Sequence, residues 1–123
     1  MIAALTLGNR AATFPLQTLG YDVDVVNTVQ FSNHTGKSIL PDVSHRLGYG
    51  FTDGHKTTPE QLQAVFNGLV INGLVGHSRA LTGYIPGAEA LTVVAKQIEA
   101  MKAKNDELIY VLDREFSGCV ALM

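Results

Sequence analysis

The 123-residue chain contains a single cysteine, and only 16% of its residues are charged. Because Cys119 has no second cysteine to pair with, an internal disulfide is excluded, and we expect a protein of the reducing cytoplasm. The low charge content excludes a highly charged disordered chain. A formal net charge of -2 leaves no basic surplus for neutralising phosphates, so we expect no general nucleic-acid binding.

Long hydrophobic runs are also absent. The uninterrupted apolar stretches extend over a few residues, whereas a bilayer-spanning helix needs roughly 20, so we expect no membrane partner. The apolar residues 1–5 lack a basic lead and are soon followed by Asn9 and Arg10, which argues against a signal peptide. Hydrophobic residues make up 46% of the chain, and its length suits one domain, which we assign to residues 1–123.

The first part of the chain predicts a helix, a strand and a long loop. Residues 9–19 are expected to form a helix that Gly20 ends, with Pro15 restricted to an early turn. Closely spaced valines predict a strand over 22–30, and the Gly-, Asp-, Asn- and His-rich stretch 32–56 predicts a loop or flap. The apolar side chains expected to face inward from the helix are Phe14, Leu16 and Leu19.

The clearest helical signal begins at Thr58. This threonine is expected to cap the helix, with Pro59 in the first position and Gln61 completing a capping box. Asn72 and Gly73 are expected to end it. The apolar stripe of this helix is predicted to comprise Leu62, Val65, Phe66, Leu69 and Val70.

The remaining segments predict an α/β sheet. Residues 79–83 suit a short strand, and the continuous apolar run 108–112 is typical of a strand that a parallel sheet buries on both faces. A helix over 87–104 is expected to lie between them, with lysines outward. Helices between strands imply right-handed crossovers and a mainly parallel sheet flanked by helices. The inward positions of that helix are predicted to be Leu91, Val94, Ile98 and Met101.

Polar residues follow three of the candidate strands, in segments 33–36 and 82–84 and at Asp113. Ligands of open α/β sheets bind beyond the carboxyl ends of the strands, so these segments are candidates for a binding site. Each also has an ordinary structural interpretation. Segment 33–36 suits a turn, Tyr84 suits a half-buried packing residue, and Asp113 suits a helix cap or a surface carboxylate.

Several better-known motifs are incomplete. Gly36-Lys37-Ser38 resembles the end of a phosphate-binding loop, but Phe31 occupies the position of the required earlier glycine. The glycines near position 50 do not match the dinucleotide fingerprint. The four histidines lack the close pairing of zinc sites, so the sequence assigns no metal ligand.

Four longer stretches resemble one family. GNRAATFPLQ over 8–17, VNTVQFSNHTG over 26–36, LTGY over 81–84 and LIYVLD over 108–113 resemble pyridoxal kinases, in the order found in that family. The resemblance covers residues 8–36 and 49–113 and corresponds to the N-terminal, substrate side of these enzymes. It implies part of a ribokinase-like fold, in which a mainly parallel sheet lies between layers of helices.

The resemblance also implies an activity and its site residues. Pyridoxal kinases phosphorylate the 5′-hydroxymethyl group of pyridoxal, pyridoxine and pyridoxamine, using ATP and a divalent cation, Mg²⁺ or Zn²⁺. By this resemblance Thr35 touches the vitamin B6 ring, Tyr84 lies beside it, and Asp113 faces the ATP and cation. The resemblance leaves open a homodimer of the family type.

Three departures from the family alter the expectation for this chain. The family's first strand, with its substrate-binding serine, is expected to be missing, residues 37–48 form an insertion, and the tail 114–123 shows no resemblance. The general-base aspartate and anion hole of the family lie in a part without a counterpart here, so no catalytic residue is assigned and the chain alone is expected to be inactive. The alternative is a non-catalytic truncated isoform, or an intron-retaining product, that acts at most as a weak binding module. Residues 37–48 and 114–123 would be the retained introns, because their first codons are compatible with splice-donor sequences.

Overall fold

The structure, a computed structural model, describes residues 2–5, 9–32 and 53–113. These residues form six strands and three helices. In chain order the elements are β1 (Ile2–Leu5), α1 (Asn9–Thr18), β2 (Val23–Val25), β3 (Val29–Phe31), β4 (Gly54–Lys56), α2 (Pro59–Ile71), β5 (Arg79–Thr82), α3 (Ala88–Lys104) and β6 (Ile109–Leu112).

Four of the strands form a parallel sheet in the order β2-β1-β5-β6. The register aligns Ile2 of β1 with Val23 of β2 and with Arg79 of β5, and Arg79 in turn with Ile109 of β6. β3 and β4 form a separate antiparallel pair. The sheet confirms the predicted α/β class. It also shows that the expectation of a missing first strand was wrong, because β1 occupies an inner position of the sheet.

Helices cover the two faces of the sheet unequally. The crossovers β1-α1-β2 and β5-α3-β6 step in opposite directions along the sheet, so right-handed connections place α1 and α3 on opposite faces. α1 contacts β1 and β2, and α2 packs against α3. The buried core lies on the α2 and α3 side and contains Val26, Leu62, Phe66, Ala80, Ile85, Ala90, Val94, Ile98, Met101 and Leu108.

α1 follows its predicted boundaries but not its predicted orientation. Phe14 and Leu19 are both 73% exposed and only Leu16 is half-buried, so the expected inward face is wrong at two of three positions. Pro15 lies inside the helix rather than in its first turn. Gly20, with φ of 85°, ends the helix as predicted, and the backbone N–H of Tyr21 closes the turn by donating to Leu16.

α2 and α3 agree closely with the sequence. Thr58 and Gln61 form the predicted capping box, with bonds of 3.2 and 2.9 Å, and Asn72 ends α2. Leu62 and Phe66 are buried, whereas Val65 and Val70 are exposed because α2 packs along a narrower stripe than predicted. On α3 the inward positions Val94, Ile98 and Met101 are buried, Leu91 is half-buried and the lysines are exposed. None of the described helices is both long and apolar enough to cross a membrane.

The predicted strand over 22–30 is divided into two. β2 belongs to the parallel sheet and β3 pairs with β4, so the chain changes sheet between Val25 and Val29. Residues 54–56 of the predicted loop form β4. The insertion 37–48 and the tail 114–123 lie outside the described residues.

β6 forms at the predicted position but is not buried on both faces. Ile109 and Val111 are each 51% exposed, and Tyr110 is 37% exposed. The physical reason is the position of β6 in the strand order, since among the described strands it pairs with β5 alone. The apolar composition of the segment was correctly interpreted as a strand, but the burial depends on neighbours that the local sequence does not specify.

Candidate functional site

The strand order places a crevice between β1 and β5. The chain leaves β1 towards β2 and later returns to β5 on the other side of β1, so the direction of the connections reverses between these two strands. In open α/β sheets such a reversal opens a ligand-binding crevice at the carboxyl ends of the strands. Gly83 and Tyr84 follow directly after β5 and therefore lie at this crevice.

Tyr84 is held through its backbone by a residue far away in the sequence. The hydroxyl of Thr28 donates a hydrogen bond of 3.0 Å to the carbonyl oxygen of Tyr84. Thr28 is fully buried, and the Tyr84 side chain is half-buried. The buried Thr28 hydroxyl thus fixes the backbone of Tyr84, whose side chain is partly exposed, and we call this residue the tyrosine platform.

Thr28 is itself fixed by the segment that precedes α2. The backbone N–H of Thr57 donates to the Thr28 carbonyl at 2.9 Å, and the Thr57 hydroxyl donates to the Asn27 carbonyl at 2.8 Å. These bonds join the start of the β3–β4 hairpin to the N-terminus of α2. Hydrogen bonds therefore connect the backbone of Tyr84, in the loop after β5, to the start of β3 and to the N-terminus of α2.

The N-terminus of α2 shifts the pKa of a carboxyl group. Hydrogen bonds from the backbone N–H of Glu60 and from the Thr58 hydroxyl hold the pKa of the Glu60 carboxyl below its ordinary value of 4.5, and slight desolvation opposes them. Glu60 lies in the first turn, where a negative charge also interacts favourably with the helix dipole. The carboxylate stabilises the start of α2.

Asp113 lies at the carboxyl end of β6, next to β5, the strand that Tyr84 follows. Its backbone N–H donates to the Thr82 carbonyl at 2.7 Å, which fixes it beside the end of β5, and its side chain is exposed. The buried Thr82 hydroxyl and the Tyr110 hydroxyl lie 2.7 Å apart and add a side-chain link between the strands. An exposed carboxylate thus lies at the same edge of the sheet as the tyrosine platform.

The structure places two of the three predicted site residues at one edge of the sheet. Tyr84 and Asp113 follow neighbouring parallel strands, as expected, whereas Thr35 lies outside the described residues. Thr28 was not singled out from the sequence. Its signal was its place between two valines, Val26 and Val29, that the structure buries, since a threonine buried with them needs a hydrogen-bond partner.

A cation would find one carboxylate in this part of the site. The described residues contain no group of three histidine, cysteine, aspartate or glutamate side chains that could hold a metal ion. Asp113 alone could supply one carboxylate to such an ion, and Mg²⁺ takes one or two protein carboxylates when phosphate oxygens and water complete its shell.

Comparison of the sequence with known proteins identifies similar chains. Pyridoxal kinase of Bos taurus is 40% identical over 107 residues, or 87% of this chain. Pyridoxal kinase of Arabidopsis thaliana is 39% identical over the same share. This chain spans only 30–31% of the length of these relatives. No family model matches it.

Solved structures give the same result for the fold. Pyridoxal kinase from Trypanosoma brucei superimposes with a TM-score of 0.76 and 25% identity, covering 91% of this chain and 41% of that protein. Pyridoxal kinase from Leishmania donovani in complex with ADP has a TM-score of 0.76 and 28% identity, covering 94% and 42%. The predicted resemblance to pyridoxal kinases, with a partial ribokinase-like fold, is therefore confirmed.

Proposed function

We propose that this chain, which matches pyridoxal kinases in sequence and in fold, provides the vitamin B6-binding side of such an enzyme. The observation that carries the proposal is the 40% identity over 87% of the chain. The structure supports it by fixing an aromatic platform at the crevice between β1 and β5. The reaction of the complete enzyme would be ATP-dependent phosphorylation of the 5′-hydroxymethyl group of the vitamin.

Tyr84 is proposed to stack on the pyridine ring of the substrate. A flat heteroaromatic ring gains about 0.5–1.5 kcal/mol from stacking on a fixed aromatic side chain, beyond the burial of its surface. The bond from Thr28 supports this role, since it fixes the backbone from which the ring projects. Thr35 is proposed to provide one hydrogen bond to the same ring, as the family resemblance implies.

Asp113 is proposed to face the nucleotide and its divalent cation. Its exposed carboxylate lies beyond β6, one strand away from Tyr84. ATP and the cation would bring the transferable phosphoryl group and the charge that stabilises its transfer. The nucleotide side is supported by the ADP bound in the Leishmania donovani structure.

The chain alone is proposed to bind vitamin B6 weakly and not to phosphorylate it. One hydrogen bond contributes about 0.5–1.5 kcal/mol net, and stacking adds a similar amount. A Kd of about 1 mM already requires roughly 4 kcal/mol, so these two interactions give millimolar affinity or weaker. The alternative function is that of a non-catalytic binding module.

Calorimetric titration with pyridoxine tests the proposal. Pyridoxine is preferred over pyridoxal, because the aldehyde also forms Schiff bases with lysines. We expect weak binding by the wild-type chain and loss of the signal in Tyr84→Ala. The matched control is Tyr21→Ala, because Tyr21 is also a partly exposed tyrosine but precedes β2, at the opposite end of the sheet.

Two results would oppose the proposal, one from the titration and one from an activity assay. Micromolar pyridoxine binding that Tyr84→Ala leaves unchanged would place the site elsewhere. Steady formation of pyridoxine phosphate from ATP by the purified chain, with its intact mass verified, would show that a catalytic centre is present.

A further inference from the structure

The sequence joins an aspartate or an asparagine to a glycine at three places, residues 53–54, 67–68 and 72–73. At such a pair the glycine nitrogen can attack the side-chain carbonyl carbon, Cγ, and close a five-membered succinimide ring, because glycine has no side chain to obstruct the approach. Water then opens the ring, and one of the two products is isoaspartate. Side-chain chemistry alone favours the two asparagines, since an amide leaves as ammonia more readily at neutral pH than a carboxylate oxygen leaves as water.

Hydrogen bonds in and after α2 hold both asparagines away from this reaction. Asn67 lies inside α2, where the N–H of Gly68 belongs to the hydrogen bonding of the helix, and its side chain accepts a 3.0 Å bond from a glutamine one turn earlier. The Asn72 side chain donates to the Gly68 carbonyl at 2.8 Å, while the N–H of Gly73 donates to the Val70 carbonyl at 3.1 Å. In both pairs the side chain and the glycine nitrogen have separate partners, so ring closure requires the helix to open locally.

Asp53 and Gly54 are arranged in the opposite way. The N–H of Gly54 donates a hydrogen bond of 2.7 Å to Oδ1 of Asp53. Because Oδ1 is bonded to Cγ, this bond holds the attacking nitrogen beside the carbon that it must reach, and such proximity is a large part of what a fixed geometry contributes to a reaction rate. The two groups that must react are thus hydrogen-bond partners of each other.

The β3–β4 ladder leaves the Gly54 nitrogen available for this contact. The Ser32 N–H donates to the Asp53 carbonyl at 2.8 Å, and the Asp53 N–H donates to the Ser32 hydroxyl oxygen at 3.2 Å. Antiparallel pairs alternate between hydrogen-bonded and non-hydrogen-bonded positions, so the next pair, Phe31 and Gly54, directs the Gly54 N–H away from β3. Ser32 therefore anchors the backbone of Asp53, while the Asp53 carboxylate bonds to the amide that follows it.

We propose that Asp53 is a site of spontaneous isoaspartate formation in the folded chain, ahead of Asn67 and Asn72. The Gly54 nitrogen forms a bond to Cγ of Asp53, and the bond from Cγ to one carboxylate oxygen breaks. That oxygen leaves as water, with the amide proton and one proton from solvent. A second water adds its hydroxyl to the former carbonyl carbon of Asp53 and a proton to the Gly54 nitrogen as the bond between them breaks. The new carboxyl group releases its proton to solvent, and the chain continues through Cγ.

The product would disturb the hairpin in which it forms. Isoaspartate carries the main chain through Cβ and Cγ of Asp53, which makes it one methylene longer than before. Gly54 lies so close to Gln30 and Phe31 that even one added carbon would collide there. A longer and differently directed backbone before Gly54 therefore displaces the pairing of β4 with β3. The proposal concerns this chemistry alone and does not depend on the binding of vitamin B6.

Peptide mapping of the aged protein tests the proposal. The full chain is incubated at neutral pH for several weeks, both folded and in guanidinium chloride, and is then digested and analysed by mass spectrometry. Deamidation of an asparagine increases the mass of its peptide, whereas isoaspartate at residue 53 leaves the mass unchanged and is recognised by diagnostic fragments of the isomerised backbone. In the folded chain we expect isoaspartate at Asp53 to exceed deamidation at Asn67 or Asn72 by about tenfold or more. In guanidinium chloride the order is expected to reverse, because the helix no longer holds the asparagines.

Two variants of Asp53 separate ring closure from a general change in folding. Asp53→Glu keeps the carboxylate but requires a six-membered ring, so the isomerised product at residue 53 should disappear while Asn67 and Asn72 stay intact in the folded chain. Asp53→Asn keeps an acceptor oxygen for the Gly54 N–H and introduces a better leaving group, so residue 53 should then deamidate faster than Asn72. Deamidation at Asn67 or Asn72 ahead of isoaspartate at Asp53 in the folded chain would overturn the proposal. Isomerisation of Asp53 in guanidinium chloride alone would also overturn it, because the hairpin would then protect the site.

Discussion

The hydroxyl of Thr28 donates a 3.0 Å hydrogen bond to the carbonyl oxygen of Tyr84 across 56 positions of sequence. The bond joins the loop after β5 to the segment between β2 and β3. Because Thr28 is fully buried, this bond is shielded from water, and its loss would leave the Tyr84 carbonyl without a partner. The arrangement makes Thr28 a positioning residue for the tyrosine platform.

Replacing Thr28 separates its positioning role from its packing role. Thr28→Val keeps the shape but removes the donor, so we expect a loss of about 1–3 kcal/mol in the free energy of unfolding and weaker pyridoxine binding. Thr28→Ser restores the donor and should recover most of the pyridoxine affinity, although it lacks the methyl group. Urea unfolding and calorimetric titration measure the two effects. Equal pyridoxine affinity in the two variants would mean that the bond does not position the ring.

Gly54 is required for the close pairing of β3 and β4. Its φ is 144°, and a Cβ at this position would collide with the Gln30 carbonyl and with Phe31. We expect Gly54→Ala to destabilise the chain by about 1–3 kcal/mol through backbone strain. The control is Gly68→Ala inside α2, where nothing lies within 4 Å of the added carbon. It should stabilise the helix by roughly 0.5–1 kcal/mol, so the two melting temperatures should move in opposite directions.

Local chemistry determines the parts of this fold that the sequence predicted well. The Thr58 capping box and the Gly20 helix end each depend on residues within one turn, and the structure contains both. The positions of Tyr84 and Asp113 at strand ends also followed from the alternation of strands and helices, since parallel strands place their carboxyl ends together.

The errors lie where distant contacts decide the structure. The strand predicted over 22–30 divides at residues 26–28, where the Thr28 hydroxyl is bonded to Tyr84 rather than to a sheet neighbour. The apolar residues of β6 are exposed because β6 pairs with one described strand only. Phe14 is exposed, and among the described elements α1 packs mainly against β1 and β2. None of these relationships is visible within a short window of sequence.

The Glu60 carboxylate is expected to make stability depend on pH in acid. Its pKa in the folded chain is below the ordinary value of 4.5, so the folded state favours the ionised form. The resulting stabilisation is present above 4.5 and is lost as the pH falls through the folded-state pKa. Glu60→Gln should therefore lower the melting temperature at neutral pH, with the difference shrinking in acid. A difference between the wild-type chain and Glu60→Gln that stays constant as the pH falls would contradict the prediction.

The remaining prediction concerns the contact between the Asp24 and His77 side chains, at the amino-terminal side of β5. The His77 side chain is 2% exposed, and its Nε2 lies 3.0 Å from Oδ2 of the partly exposed Asp24. The other ring nitrogen, Nδ1, is buried without a partner. Besides Asp24 and His77, the small cavity that they share is lined by apolar side chains and by Gln97. Among the described residues, Asp24 is the hydrogen-bond partner of the His77 ring.

Removing the Asp24 carboxylate should therefore lower the free energy of unfolding more than replacing it with a weaker acceptor. Asp24→Ala leaves both ring nitrogens of His77 unpaired, and we expect a loss of about 1–3 kcal/mol in the free energy of unfolding. Asp24→Asn keeps an acceptor oxygen and should lose less. In a His77→Leu background the imidazole is absent, so Asp24→Ala should then have little effect. Urea unfolding of the four variants and the wild-type chain measures the coupling between the two sites. An equal loss from Asp24→Ala in both backgrounds would show that the carboxylate stabilises the chain independently of His77.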